Sequence, residues 1–180
     1  MKLSIVPALL ATLLALVGCT NSYRIERGPD AAKQVQPLIA KGERVLVTIP
    51  QDGAYGATKY DGSGLSTQQA VVASLSGLGA NAIPGERCDD PDVAAAMGKK
   101  ANAQWVVYTR IHQWEDRATE WSGLPDRIRI EVRTISLPSG APRDITIVEG
   151  SSKWATFGGD RPQDMLLPAL KPWADSTIKR

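Results

Sequence analysis

The chain has 180 residues with 21 Lys and Arg against 19 Asp and Glu, a formal charge of +2, and 43% hydrophobic residues. So small an excess of positive charge excludes the clustered basic face of a nucleic-acid binder. The length suits one domain with a real core, and no apolar run is long enough to cross a bilayer.

The first residues read as an address. Lys2 precedes an almost continuously apolar stretch from Leu3 to Val17, the length of a signal-peptide core and short for a membrane span. Leu16-Val17-Gly18-Cys19 resembles the bacterial lipobox, which implies cleavage before Cys19 and lipidation of its sulfur. Buried acyl carbons stabilise attachment by about 0.8 kcal/mol each, so several chains on one cysteine hold a domain firmly. Thr20, where Asp would signal retention at the inner membrane in enterobacterial sorting, implies the outer membrane. Cys88 is then the one remaining cysteine. Asp89 and Asp90 beside it disfavour a thiolate, so it reads as a partly buried thiol without a role.

Residues 19–42 are expected to be the lipidated cysteine and a tether, with a short helix over Ala31–Ala40 interrupted by Pro37. A single globular domain is expected over 43–180. Glu43–Ile49 is a strand covered on both faces. Gln51–Leu65 is a glycine-rich loop, and Ser66 with Gln69 has capping-box spacing for a helix whose apolar face is Val71, Val72, Leu75 and Leu78 and which Gly77 and Gly79 close. Strand, glycine loop and helix start in that order suggest an anion site, but the spacing matches neither dinucleotide nor nucleotide motifs, and a structural loop is the better reading.

Asn81–Glu86 is a short strand at most. Asp90 caps the next helix, with Pro91 in its first turn and small residues from Val93 to Ala101. An antiparallel hairpin follows, Gln104–Arg117 with Asp126–Leu137. In its second strand Ile128, Ile130 and Val132 point one way and Arg127, Arg129, Glu131 and Arg133 the other. In its first strand alternation places Tyr108, Arg110, His112 and Trp114 on one side. Ile145–Val148 continues the meander towards Ala155, with Gly150 as a bulge. Asp160 and Gln163 would cap a last helix carrying Leu166, Leu167, Leu170, Trp173 and Ile178, broken or kinked at Pro168 and Pro172.

His112 is the single histidine, with no companions at zinc-ligand spacing and no G-x-S-x-G elbow elsewhere, so neither a metal, another cofactor nor a nucleophilic centre is expected. Glu115, Asp116 and Glu120 near Trp114 and Trp121 have the residue types of a glycosidase pair, but an acidic loop paired with Arg117 and Arg127 explains them as well. Trp105 falls in a core pattern. Trp114, Trp121 and Trp154 sit near loops or strand ends, where tryptophan and arginine either anchor partners or plug the open end of a sheet.

These residues carry a resemblance. Trp114 to Gly123 followed by Pro125-Asp126-Arg127, Lys153 to Asp160 followed by Pro162-Gln163-Asp164, and the Tyr55-Gly56 and Gly62-Ser63-Gly64 loop are similar to signatures of an uncharacterised bacterial lipoprotein family, domain-of-unknown-function family 4823. Pro172 departs from it. The family implies no activity. The element order is also similar, by distant analogy, to the amino-terminal domain of TolB and to penicillin-binding-protein activator lipoproteins, which implies work through protein contacts.

The expectation is an α/β (α+β) domain: one mixed sheet of about five strands ending in an antiparallel meander, with helices packed on it. It would be an outer-membrane lipoprotein facing the periplasm, anchored through Cys19, non-catalytic, and bound to an envelope protein through Trp114, Glu115, Asp116, Arg117, Trp121, Asp126, Arg127, Trp154 and Asp160. The alternative is a small-ligand binder or hydrolase using the Gly53–Gly64 and Trp114–Arg127 loops.

Overall fold

The computed structural model describes residues 21–28, 38–117, 124–137, 139–153 and 161–179. In chain order the elements are β1 (Ser22–Arg27), β2 (Arg44–Ile49), β3 (Ala54–Tyr55), β4 (Thr58–Lys59), α1 (Ser63–Ser76), β5 (Asn81–Arg87), α2 (Pro91–Lys100), β6 (Trp105–Glu115), β7 (Arg127–Ser136), β8 (Pro142–Ser151), a 3-10 turn (Pro162–Met165) and α3 (Leu166–Thr177). Six strands form one sheet in the order β1-β8-β7-β6-β2-β5, and β3 and β4 form a small separate hairpin. β2 runs parallel to both β5 and β6, whereas β6, β7, β8 and β1 are successively antiparallel. The sheet is therefore mixed, with a parallel half built by helical crossovers and a meander half built by turns.

The two faces of the sheet are covered unequally. Val45, Val47, Val107, Ile128, Ile130, Val132 and Val148 pack beneath α1 and α3, with Val71, Leu75, Leu166, Leu170 and Trp173 supplied by the helices. On the reverse face Leu46, Val106, Tyr108 and Ile135 pack against Ala94 and Ala95 of α2 and against Cys88. Both faces of β2 are thus buried, as its unbroken apolar run requires. α2 can lie close because its contact side is small. A Cβ on Gly98 would stand 2.2 Å from Val106 Cγ2 and 2.8 Å from Leu137 Cδ1. α2 begins as its sequence dictates, with the Asp90 carboxylate accepting from the N–H groups of Asp92 and Val93 and Pro91 in the first turn.

Several expectations change. Parts of the stretch expected as a tether belong to the folded domain: Ser22–Arg27 pairs in register with β8, and Leu38 and Ile39 are buried, their N–H groups donating to the Thr177 carbonyl. β1 is the sixth strand. α1 starts at Ser63 after a left-handed Gly62, three residues before the expected Ser66 cap. Gly150 is not a bulge; it pairs regularly with Tyr23 and Ile128, and it is small because a Cβ would meet Ile128 Cγ1 at 3.0 Å. The last helix is unbroken through Pro168 and Pro172. Pro168 lies in the first turn, where an N–H is dispensable, and Pro172 is exposed. Arg161 N–H donates to Asp164 Oδ2 at the start of this segment, the expected cap Asp160 lies outside the described residues, and Leu167 is exposed.

Gly98→Ala tests the close packing of α2. Alanine favours helix by about 1 kcal/mol over glycine, but overpacking a stiff valine costs about 1–3 kcal/mol. The denaturation midpoint is expected to fall; a rise would mean that the helix stands off the sheet.

Candidate functional site

The candidate residues converge where β6 ends and β7 begins. The register of that pair slips between Ile111 and Gln113, so His112 is an extra residue on one strand. Strict alternation would have kept Trp114 beside Tyr108 and Arg110. Instead the bulge reverses the pattern: Tyr108 packs under α2, whereas Trp114 joins Ile111 in the core on the opposite face. His112 itself stays on the outer face, its Nε2 2.9 Å from Glu131 Oε2.

Trp114 is 3% exposed, and the Gly53 loop lies directly on it. A Cβ on Gly53 would come within 2.6 Å of Trp114 Cβ and 2.9 Å of Ile111 Cγ2, so the loop approaches only because position 53 lacks one. The loop ends by capping α1. Gly53 N–H donates to Ser63 Oγ at 2.8 Å, and Gly64 N–H donates to Asp52 Oδ1 at 2.8 Å. Arg87 backs Asp52 at 3.5 Å and donates to the Pro50 carbonyl at 2.6 Å. The helix start that resembled an anion site holds the chain's own carboxylate, as the structural reading anticipated.

Next to Trp114, Glu115 is 2% exposed. It accepts from Gln113 Nε2 and, at 2.7 Å, from Arg117 Nε. Arg117 also donates to Tyr55 Oη at 2.8 Å and lies 5.0 Å from the centre of the Tyr55 ring. The Glu115 hydrogen bond pushes the Arg117 guanidinium above its ordinary value. Asp126, 1% exposed, accepts from Arg117 N–H, while its own N–H donates to Ser152 Oγ and its carbonyl accepts from Ser152 N–H. One residue, through its carboxylate and its own backbone, thereby joins the end of β6, the start of β7 and the end of β8.

This arrangement corrects the expected partner surface. Trp114, Glu115 and Asp126 are buried and hold the loops in place, Asp116 and Arg127 are exposed, and Arg117 lies between. Trp121, Trp154, Asp160 and Cys19 lie outside the described residues. Glu115 pairs with Arg117, as the acidic-loop reading required. Sequence reasoning missed Ser152, and it missed the ion pairs on the outer face of the meander. There Arg129 meets Glu149 at 2.6 Å and Glu131 accepts from both Arg133 and His112. Burial alone would raise the Glu131 carboxyl, but the hydrogen bonds from Arg133 and His112 outweigh it and hold the group below the usual carboxylate value. The alternation of charge at 127, 129, 131 and 133 was the available signal.

Two concavities border these loops. One of about 360 Å³ is lined by Tyr60, Ser63, Trp114, Asp116 and Gln163. A larger groove of about 590 Å³ crosses β1, β8, β7 and β6 on the outer face. Among the described residues no three of His, Cys, Asp or Glu group to hold a metal ion, and no helix is long and apolar enough to cross a membrane.

The family model described as domain of unknown function DUF4823 matches residues 38–177. The chain belongs to this family. Its match spans β2 to the last turn of α3, so the bulged hairpin and its buried clasp are part of the family domain. No curated protein matches the chain. Among solved structures, the PelC dodecamer from Paraburkholderia phytofirmans is similar in fold at 15% identity, covering 84% of this chain and 96% of that one with a TM-score of 0.57. Lipoprotein GNA1162 from Neisseria meningitidis aligns at 12% identity over 74% of this chain and 98% of that one, with a TM-score of 0.47. Protein XCC0632 from Xanthomonas campestris aligns at 9% identity over 77% and 81%, with a TM-score of 0.45.

Asp126→Ala leaves the half-buried Arg117 N–H without its acceptor, which costs about 1–3 kcal/mol. Chemical denaturation is expected to show a loss of that size. An unchanged midpoint would return Asp126 to the list of surface residues.

Proposed function

We propose that this chain is a lipid-anchored envelope lipoprotein, held at the outer membrane through acyl groups on Cys19 and facing the periplasm. In this reading it is non-catalytic and works by binding a protein partner. The observation that carries the reading is the fate of the reactive-looking groups. Glu115 and Asp126 are buried and engaged, and Arg117 is shared between Glu115 and Tyr55. They make a rigid scaffold instead of a set of free acids and bases. Among the described residues this end of the sheet offers to solvent Tyr55 at 46% exposure, Leu124 at 48% and the exposed Asp116 and Arg127, a mixture of aromatic, aliphatic and charged groups suited to a protein contact.

The similar PelC structures are dodecamers, so further copies of this chain are the first partner to test. The rival reading, a small-ligand binder or hydrolase, would use the concavity of about 360 Å³ beside Trp114. Its lining includes the exposed Asp61, the half-buried Ser66 and the buried Trp114.

Two measurements in intact cells test the proposal together. Radiolabelled palmitate is expected to enter the wild-type chain and not Cys19→Ser. A photo-crosslinking amino acid at position 124 is expected to capture a protein, whereas one at Lys99 on α2 captures none. Absence of label in the wild-type chain, or equal capture from both positions, contradicts the reading.

A further inference from the structure

The outer face of the meander is the one broad surface that α2 leaves uncovered among the described residues, and its charges are ordered. β1 starts at Ser22, three residues after Cys19, a span of at most ~11 Å of extended chain. Ser22 opens the groove of about 590 Å³, which is lined further by Arg24, Gln113, Arg127, Arg129, Glu149 and Ser151. Register aligns these residues in two rows across the strands. Ser22, Ser151, Arg127 and Glu115 form the first, and Arg24, Glu149, Arg129 and Gln113 the second. Glu115 is buried against Arg117, so the groove itself is lined by three arginines and one glutamate at the end of the sheet where β1 begins. The next row, Glu26, Ile147, Glu131 and Arg110, reverses the balance. Arg129 pairs with Glu149 and Arg24 with Glu26, whereas Arg127 is exposed and makes no ion pair with a described residue.

We propose that this groove seats the phosphate of an anionic phospholipid in the membrane that carries the Cys19 anchor. The orientation rests on the anchoring reading above; the charge pattern stands without it. Guanidinium groups match phosphate oxygens in fork geometry, and cations near an anionic surface bind it additively. The short run from Cys19 to β1 keeps this end of the sheet within reach of the headgroups, and the arginines place the contact on its outer face. Arg127 makes the first contact, and Arg24 and Arg129 border it with serine hydroxyls and the Gln113 amide between them.

The test uses a chain beginning at residue 19 with Cys19→Ser, which keeps every described element and removes the acyl groups. Binding is measured by sedimentation with vesicles of phosphatidylcholine alone or mixed with phosphatidylglycerol. The chain is expected to bind only the anionic vesicles, and less as salt rises. Arg127→Gln should weaken binding roughly fivefold, and the triple replacement of Arg24, Arg127 and Arg129 by Gln roughly tenfold or more, with thermal midpoints unchanged. Equal binding to both vesicles, or a triple variant that binds like the parent, overturns the proposal. So does displacement from vesicles by inorganic phosphate at matched concentration, which would mark a site for a free anion. A triple variant that loses self-association while keeping vesicle binding would identify the face as a contact between copies and also overturn it. Because acyl groups are absent throughout, failure here leaves the palmitate result standing, and failure of palmitate labelling leaves the vesicle result standing.

Discussion

One extra residue in β6 decides what the end of the hairpin does. Alternation along a strand commits each side chain to a face, and a single insertion reverses every commitment beyond it. At His112 that reversal turns Trp114 from the outer face into the core and sends Gln113 and Glu115 outward from it. A buried indole then gives the Gly53 loop something to lie on, and the loop in turn supplies the Asp52 acceptor for Gly64 N–H and the Gly53 N–H donor to Ser63 Oγ that organise the start of α1. The position of a helix on the far side of the sheet therefore follows from a residue count in one strand.

The same reversal explains how Glu115, beside Trp114, comes to be buried and paired. Glu115 leaves the bulge on the side where Arg117 can return to it, and Tyr55 on the small β3–β4 hairpin closes over the arginine. Desolvated charges are retained when each has a partner with good geometry, and this cluster satisfies that condition. Asp126 does the equivalent for backbone groups, accepting from the N–H of the same Arg117. With Glu115 and Asp126 buried, the described surface at this end carries Tyr55, Leu124, Asp116 and Arg127.

Much of this was readable in the chain because the signals were local. Ile128, Ile130 and Val132 alternate without interruption and face the core; Asp90-Pro91 caps the helix that follows it. The unreadable parts depend on partners distant in sequence. In β1 only Tyr23 and Ile25 are apolar, and what makes the segment a strand is β8, more than a hundred residues later. Ser66 and Gln69 carry a valid capping spacing, yet hydrogen bonds from the Gly53 loop start the helix at Ser63 instead. Gly150 looks like a bulge in isolation, and its actual reason is the Ile128 side chain opposite. Tryptophans at strand ends suggested anchors, but a bulge has no composition of its own, so the inward turn of Trp114 left no trace in the sequence.

Residue 112 is the extra one in β6, and its imidazole is tested apart from its place in the strand. Comparing His112→Gln with deletion of residue 112 separates the two. The substitution keeps the register and is expected to shift the denaturation midpoint modestly, within the ~0.5–1.5 kcal/mol of one hydrogen bond. The deletion removes the extra residue, so Gln113 follows Ile111 directly on the outer face opposite Arg129 and Trp114 stays inward opposite Ile128; cooperative unfolding is expected to persist. A deletion variant that loses cooperative unfolding while His112→Gln keeps it would contradict the account.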